Sequence, residues 1–127
     1  MSRIVYAEDD PDIRLLVTYK LERAGFSVIA VADGAQALRV IREEPPDVVI
    51  LDVQMPCISG IDVCRRLRAD DDTARVPILM ITAAARPQDM DLAQAAGATG
   101  YIIKPFSPNE MVAQVRAMMT GVQAAPW

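Results

Sequence analysis

Val48-Val49-Ile50-Leu51-Asp52 is a short apolar run, β-branched at its first three positions, that ends on a carboxylate. Such a run reads as a strand covered on both faces, the signature of a parallel sheet, and it sets Asp52 at the strand's carboxyl end. The pattern recurs in both directions along the chain. Upstream lie Ile4-Val5-Tyr6-Ala7, followed by Glu8-Asp9-Asp10, and Phe26-Ser27-Val28-Ile29-Ala30-Val31, followed by Ala32-Asp33-Gly34. Downstream lie Val76-Pro77-Ile78-Leu79-Met80-Ile81, followed by Thr82, and Tyr101-Ile102-Ile103, followed by Lys104.

Amphipathic segments separate these runs. Asp10-Pro11 offers an N-cap and an N1 proline; Ile13, Leu16, Val17 and Leu21 are expected on the buried face, with Gly25 as the stop. Residues 34–43 turn Ala37, Leu38 and Ile41 inward. Residues 60–69 turn Ile61, Cys64 and Leu67 inward and Arg65, Arg66 and Arg68 mainly outward. Residues 87–96 carry Met90, Ala93 and Ala96 on one stripe and end at Gly97. Ser107-Pro108-Asn109-Glu110 reads as a capping box, heading a helix that buries Met111, Val112, Val115 and Met118. Strict alternation of strand and helix predicts an α/β fold, a five-stranded parallel sheet with helices on both faces, because parallel strands need crossover helices. The alternation by itself leaves the strand order open.

Composition narrows the function. At 127 residues and 13.9 kDa the chain holds one core. Thirteen basic against seventeen acidic residues give a net charge of −4, which argues against direct nucleic-acid binding. The absence of histidine excludes His-based zinc sites, Ser-His-Asp and Cys-His catalysis, and an internal phosphohistidine. The apolar run Val76–Ala85 is about half the roughly 20 residues of a membrane helix, and Glu8, Asp9 and Asp10 interrupt any amino-terminal signal. Cys57 and Cys64 match no metal or disulfide framework and read as small apolar residues, so a cytoplasmic, reducing setting is expected.

Ligands of open α/β sheets bind beyond the carboxyl ends of the strands, where Glu8, Asp9, Asp10, Asp52, Thr82 and Lys104 gather. Crowded carboxylates repel one another, and a hard divalent cation relieves that repulsion; magnesium suits them best, with oxygen ligands and an affinity for phosphate. Lys104 offers a point charge and Thr82 a hydroxyl to phosphoryl oxygens, with Asp52 as the nucleophile that becomes an aspartyl phosphate. Taken singly, each residue has a plainer reading as a turn, cap or strand terminus. Together, each closing its own strand, they make a phosphoryl-acceptor site.

These residues resemble the receiver domain of two-component response regulators over about residues 3 to 120. The matching segments are Ile4-Val5-Tyr6-Ala7-Glu8-Asp9-Asp10, Val49-Ile50-Leu51-Asp52-Val53-Gln54-Met55-Pro56 with Ser59-Gly60, and Val76-Pro77-Ile78 with Ile81-Thr82-Ala83. Ala96-Gly97-Ala98 and Gly100-Tyr101-Ile102-Ile103-Lys104-Pro105-Phe106 complete the set. The resemblance implies a flavodoxin-like sheet of order 2-1-3-4-5, with the second strand at the edge. It also implies phosphoryl transfer from a sensor histidine kinase or phosphotransfer protein to Asp52. Magnesium, with manganese as a substitute, would be held by Glu8, Asp9, Asp52 and the backbone carbonyl of Gln54. Thr82, Ala83 and Lys104 would bind the phosphoryl group, Thr82 and Tyr101 would form the switch, and the Lys104-Pro105 peptide would be cis. A downstream protein would be met by the fourth helix, fifth strand and fifth helix, the chain being a monomer or a phosphorylation-dependent dimer.

The expected division is a receiver over residues 1–121 and a C-terminal tail over 122–127, with no catalysis beyond its own phosphorylation and dephosphorylation. Met1 reads as a natural start and little follows Gly121, so a stand-alone, chemotaxis-regulator-like receiver is expected. The alternative is the N-terminal domain of a longer regulator with a DNA-binding or enzymatic effector. A haloacid-dehalogenase-like phosphatase fits less well, because Gln54 stands where that class needs a second Asp. Gln54 and Ala84 hold the positions that tune phosphate hydrolysis in receivers, and Ala84 offers no side chain to orient water. A phosphoryl group that is not unusually short-lived is the expectation, checked by a time course of phosphate loss. Cys57 stands where the family often has Gly or Asn.

Overall fold

Five parallel strands pair in the order β2-β1-β3-β4-β5. They are β1 (Arg3–Ala7), β2 (Ser27–Val31), β3 (Val48–Asp52), β4 (Ile78–Thr82) and β5 (Gly100–Ile103). The crossovers are α1 (Pro11–Arg23), α2 (Gly34–Glu43), α3 (Gly60–Ala69) and α4 (Pro87–Ala95), and α5 (Pro108–Met119) follows the last strand. This computed structural model describes residues 2–83 and 86–120. The tail at 122–127, the proposed boundary at Gly121 and Ala84 lie outside the described residues.

Burial follows from strand position. All five residues of β3 and of β4 are buried, as continuous apolar runs require. Edge strand β2 is covered less, and Ile29 is 38% exposed. Side chains alternate across the sheet and build the two layers of its core, one on each face. Ile4, Tyr6, Val17, Ile50, Ile81 and Met111 pack on the side of α1 and α5. Val5, Ala7, Leu38, Leu51, Leu67 and Ala93 pack on the side of α2, α3 and α4.

Helix starts are set by short polar side chains. The Asp10 carboxylate accepts from the amides of Asp12 at 2.9 Å and Ile13 at 3.3 Å. Asp33, Ser59 and Ser107 cap α2, α3 and α5 in the same way. Helix α4 has no side-chain cap and relies on Pro87 in its first turn. Gly25 and Gly97, at φ of +102° and +98°, turn the chain out of α1 and α4.

Two helix readings are corrected. Leu16 is 51% exposed, not buried. It lies about 100° around the helix from Val17, beyond the stripe that Ile13, Val17 and Leu21 form at four-residue steps. Arg68 does not face outward: it is half-buried and donates to the carbonyls of Val76 at 2.6 Å, Gly97 at 2.9 Å and Ala74 at 3.2 Å. Its position four residues after inward Cys64 explains why. Val63, absent from the predicted stripe, is also fully buried.

Cys57 is the non-glycine residue with positive φ, at 70°, among the described residues. A Cβ in the left-handed region costs about 1–2 kcal/mol, offset in part by the greater chain entropy that glycine loses on folding. Cys57→Gly is therefore expected to raise stability by about 0.5–1 kcal/mol in denaturant unfolding. A loss of stability would show that the loop imposes no strain there.

Candidate functional site

Strand order brings the chemistry to one rim. Because β2 lies at the edge, the ends of β1, β3, β4 and β5 are neighbours, and they deliver Glu8, Asp9, Asp52, Thr82 and Lys104. Glu8, Asp52 and Thr82 are buried, whereas Asp9 is exposed. One carboxylate oxygen from each of Glu8, Asp9 and Asp52 falls within 4.8 Å of the others.

Lys104 balances this charge. Its Nζ donates to Asp52 Oδ2 at 2.5 Å and stands 3.4 Å from Glu8 Oε1. The other Asp52 oxygen, Oδ1, accepts from the amide of Gln54 at 3.0 Å, so both are held in place. Burial alone would lower the ammonium's pKa, but the Asp52 hydrogen bond and the charges of Asp52 and Glu8 outweigh it and hold it above its ordinary value. The Lys104-Pro105 peptide is cis, and the Lys104 amide donates to the carbonyl of Thr82 at 2.7 Å.

Glu8 is a strongly perturbed carboxyl. Burial raises its pKa to about 7; Asp52 adds to the rise, while the Asp10 amide and Lys104 oppose it. Its Oε2 accepts from the Asp10 amide at 3.2 Å, and its buried Oε1, 3.4 Å from Lys104 Nζ, has no hydrogen-bond partner among the described residues. A folded-state value above the unfolded one favours the folded protonated form, so this contribution is present below about pH 4.5 and is lost as pH rises through about 7. Without divalent cation, stability is expected to fall by roughly 2 kcal/mol between about pH 5 and about pH 8. Denaturant unfolding across that range checks it; a rise in stability would contradict the assignment.

The donor set fits a hard divalent cation. It is all oxygen, it crowds three carboxylates, and it includes a buried oxygen without a hydrogen bond among the described residues. Oxygen-only ligation suits magnesium or manganese better than zinc or copper.

On the β4–β5 side, Tyr101 is 5% exposed and turned inward, with its side chain hydrogen-bonded to that of Thr82. Burial raises the phenol's pKa and the Thr82 bond opposes the rise. Val53, Gln54, Arg86, Asp89 and Leu92 surround the pair in a cavity of about 110 Å³, and Arg86 Nε meets Asp89 Oδ2 at 2.9 Å. Ala83 is exposed beside the site.

Three neighbours escape a reading by residue type. The Arg14 guanidinium donates to the carbonyl of Glu8 at 2.8 Å, tying the first turn of α1 to the acidic loop. Tyr6, read as strand core, buries a hydroxyl with no hydrogen-bond partner among the described residues, and burial with the Glu8 and Asp52 charges raises its pKa. Gly60 lets α3 start against β3: a Cβ there would lie 2.3 Å from the Asp52 carbonyl oxygen. Of these, Gly60 and Tyr6 lie inside segments singled out in the sequence, and Arg14 had no such signal.

Comparison with known proteins agrees with this geometry. The family model for the response regulator receiver domain matches residues 4–116. The DNA-binding response regulator MtrA of Mycolicibacterium smegmatis is 45% identical over 118 residues, which are 93% of this chain and 50% of that protein. The chain thus spans about half the length of the curated relatives it matches. Among solved structures, Vibrio cholerae chemotaxis protein CheY4 superposes with a TM-score of 0.87 at 33% identity, over 91% of this chain and 97% of that one. The receiver domain of the Pseudomonas aeruginosa sensor histidine kinase PA1611, described with magnesium coordinated in its active-site cleft, gives 0.87 at 30% identity, over 94% and 98%. No helix among the described residues is long and apolar enough to cross a membrane. With its sheet order, its acidic rim and a family match over most of its length, the chain belongs to the response regulator receiver domains, signalling modules of two-component systems.

Proposed function

We propose that Asp52 is the phosphoacceptor, a reading carried by one observation: a buried strand-end carboxylate held 2.5 Å from Lys104 Nζ beside Glu8 and Asp9. An Asp52 oxygen attacks the phosphorus of a phosphohistidine on a sensor kinase or phosphotransfer protein. The P–N bond breaks, its electron pair leaves with the imidazole, and an aspartyl phosphate remains. Lys104, released from Asp52, pairs with a phosphoryl oxygen, while the Thr82 hydroxyl and the Ala83 amide donate to the others. Glu8, Asp9, Asp52 and the Gln54 carbonyl would hold magnesium, or manganese in its place. The bound ion supplies charge neutralisation for these carboxylates and the incoming phosphoryl group.

The donor is a protein on this reading, and the surface supports it. Leu15, Leu16 and Tyr19 are exposed on α1, beside an apolar cavity of about 430 Å³ that Lys104, Pro105 and Phe106 help to line. The signal leaves through Thr82 and Tyr101 to α4, β5 and α5, where Leu92 and Ile103 are 50% and 40% exposed. The domain catalyses only its own phosphorylation and dephosphorylation. A receiver within a longer, DNA-binding regulator is the second reading, favoured by relatives of that description that are about twice as long as the match.

Intact-mass measurement with acetyl phosphate and magnesium tests the site. The wild type is expected to gain one phosphoryl group, and Asp52→Asn none. An unchanged wild type, or equal gain on the variant, would overturn the proposal.

A further inference from the structure

Away from this rim, the surface between α2 and α3 holds charges of both signs that do not meet. Leu38, Arg39, Arg42, Glu43, Ile58 and Arg66 are among the residues lining one cavity of about 540 Å³. A second, of about 640 Å³, is lined by Arg42, Arg66, Ala69, Asp70, Asp71 and Asp72. They share Arg42 and Arg66 and adjoin as one trough, with a basic band in which three arginines outnumber Glu43 and an acidic band of Asp70, Asp71 and Asp72. Nearby arginines find partners: Arg65 pairs with Asp62 and Arg3 with Glu44. Arg39, Arg42, Arg66, Asp71 and Asp72 have no ion pair among the described residues, although four of them line the same cavity.

This arrangement restricts what can lie in the trough. A wholly acidic ligand would meet Asp70, Asp71 and Asp72, and a wholly basic one would meet three arginines. A dipolar occupant that offers acid to the arginines and arginine to the acids satisfies both bands. Another copy of this chain, turned by a two-fold axis between the bands, offers that surface. Ala69, exposed and short, lies between them and permits close approach. We infer that the α2–α3 face is a self-complementary interface through which two copies of this chain associate, Arg42 and Arg66 of each facing Asp71 and Asp72 of the other. The face is distinct from α4, β5 and α5, and the inference does not depend on Asp52 being the phosphoacceptor.

Charge exchange tests this directly. Two double variants, Arg42→Asp with Arg66→Asp and Asp71→Arg with Asp72→Arg, are followed with the wild type by analytical ultracentrifugation. The wild type is expected to dimerise weakly, each double variant at least about tenfold more weakly, and an equimolar mixture of the two to recover association as a heterodimer. Circular dichroism and denaturant unfolding of each variant confirm the fold. A wild type that stays monomeric at millimolar concentration, a dimer that either reversal leaves intact, or a mixture no tighter than its components would each overturn the inference.

Discussion

Arg68→Ala is expected to lower the unfolding free energy by about 3 kcal/mol, more than an ordinary surface change. Arg68 reaches from α3 to two other segments. It donates to the carbonyls of Thr73, Ala74 and Val76 after the helix, to the Gly97 carbonyl beyond α4 and to Thr99 Oγ1. Its stem packs on Gly97, where a Cβ would lie 2.8 Å from Arg68 Cγ. Burial lowers the guanidinium's pKa, and it has no carboxylate partner among the described residues. Alanine would leave several partly buried carbonyls without this donor, which is where the cost arises. Lysine, with one ammonium in place of a planar fork, is expected to recover less than half. Denaturant unfolding of the two variants reads this; a loss under about 1 kcal/mol for alanine would assign Arg68 to the solvated surface.

Gly60→Ala is expected to reduce phosphoryl acceptance by about 100-fold, and stability by about 2 kcal/mol. The Gly60 amide donates to the Val53 carbonyl at 2.9 Å, bringing the start of α3 against the end of β3. An added Cβ would meet the Asp52 carbonyl oxygen at 2.3 Å and Val53 Cα at 3.0 Å, both backbone atoms that no rotamer change can move aside. The strand end must shift, and Asp52 moves with it. Gly34→Ala is the control: its Cβ would meet the Ile58 carbonyl oxygen at 2.3 Å, away from Asp52. It should lose stability while keeping most of its phosphoryl acceptance. Equal loss of acceptance in both variants would trace the effect to general destabilisation.

Most of the fold was legible because five apolar runs alternate with five capped, amphipathic segments. Asp52, Thr82 and Lys104 stood out because each follows a buried run, where side chains leave the core for the rim. The strand order needed the family resemblance, since nothing in an alternating pattern says which strand lies at the edge. Arg68 was misread because its charge suggested solvent, although its spacing from Cys64 set it on the inward side. Leu16 was misread for the converse reason: an apolar side chain was assigned to a stripe too narrow to hold it. The positive φ at Cys57, the orphan hydroxyl of Tyr6 and the inward Tyr101 depend on how loops and helices close over the strands, which residue types alone do not specify.

On the proposed reading, Asp52 and no other carboxylate of the acidic rim carries the phosphoryl group. Borohydride reduces an aspartyl phosphate to homoserine and leaves free carboxylates untouched. Treatment of the acetyl-phosphate-labelled protein, followed by peptide mass mapping, should place homoserine at residue 52. Homoserine at Glu8's neighbours Asp9 or Asp10 in place of residue 52, or no reduced residue in a protein that has gained a phosphoryl group, would show that Asp52 is not the acceptor.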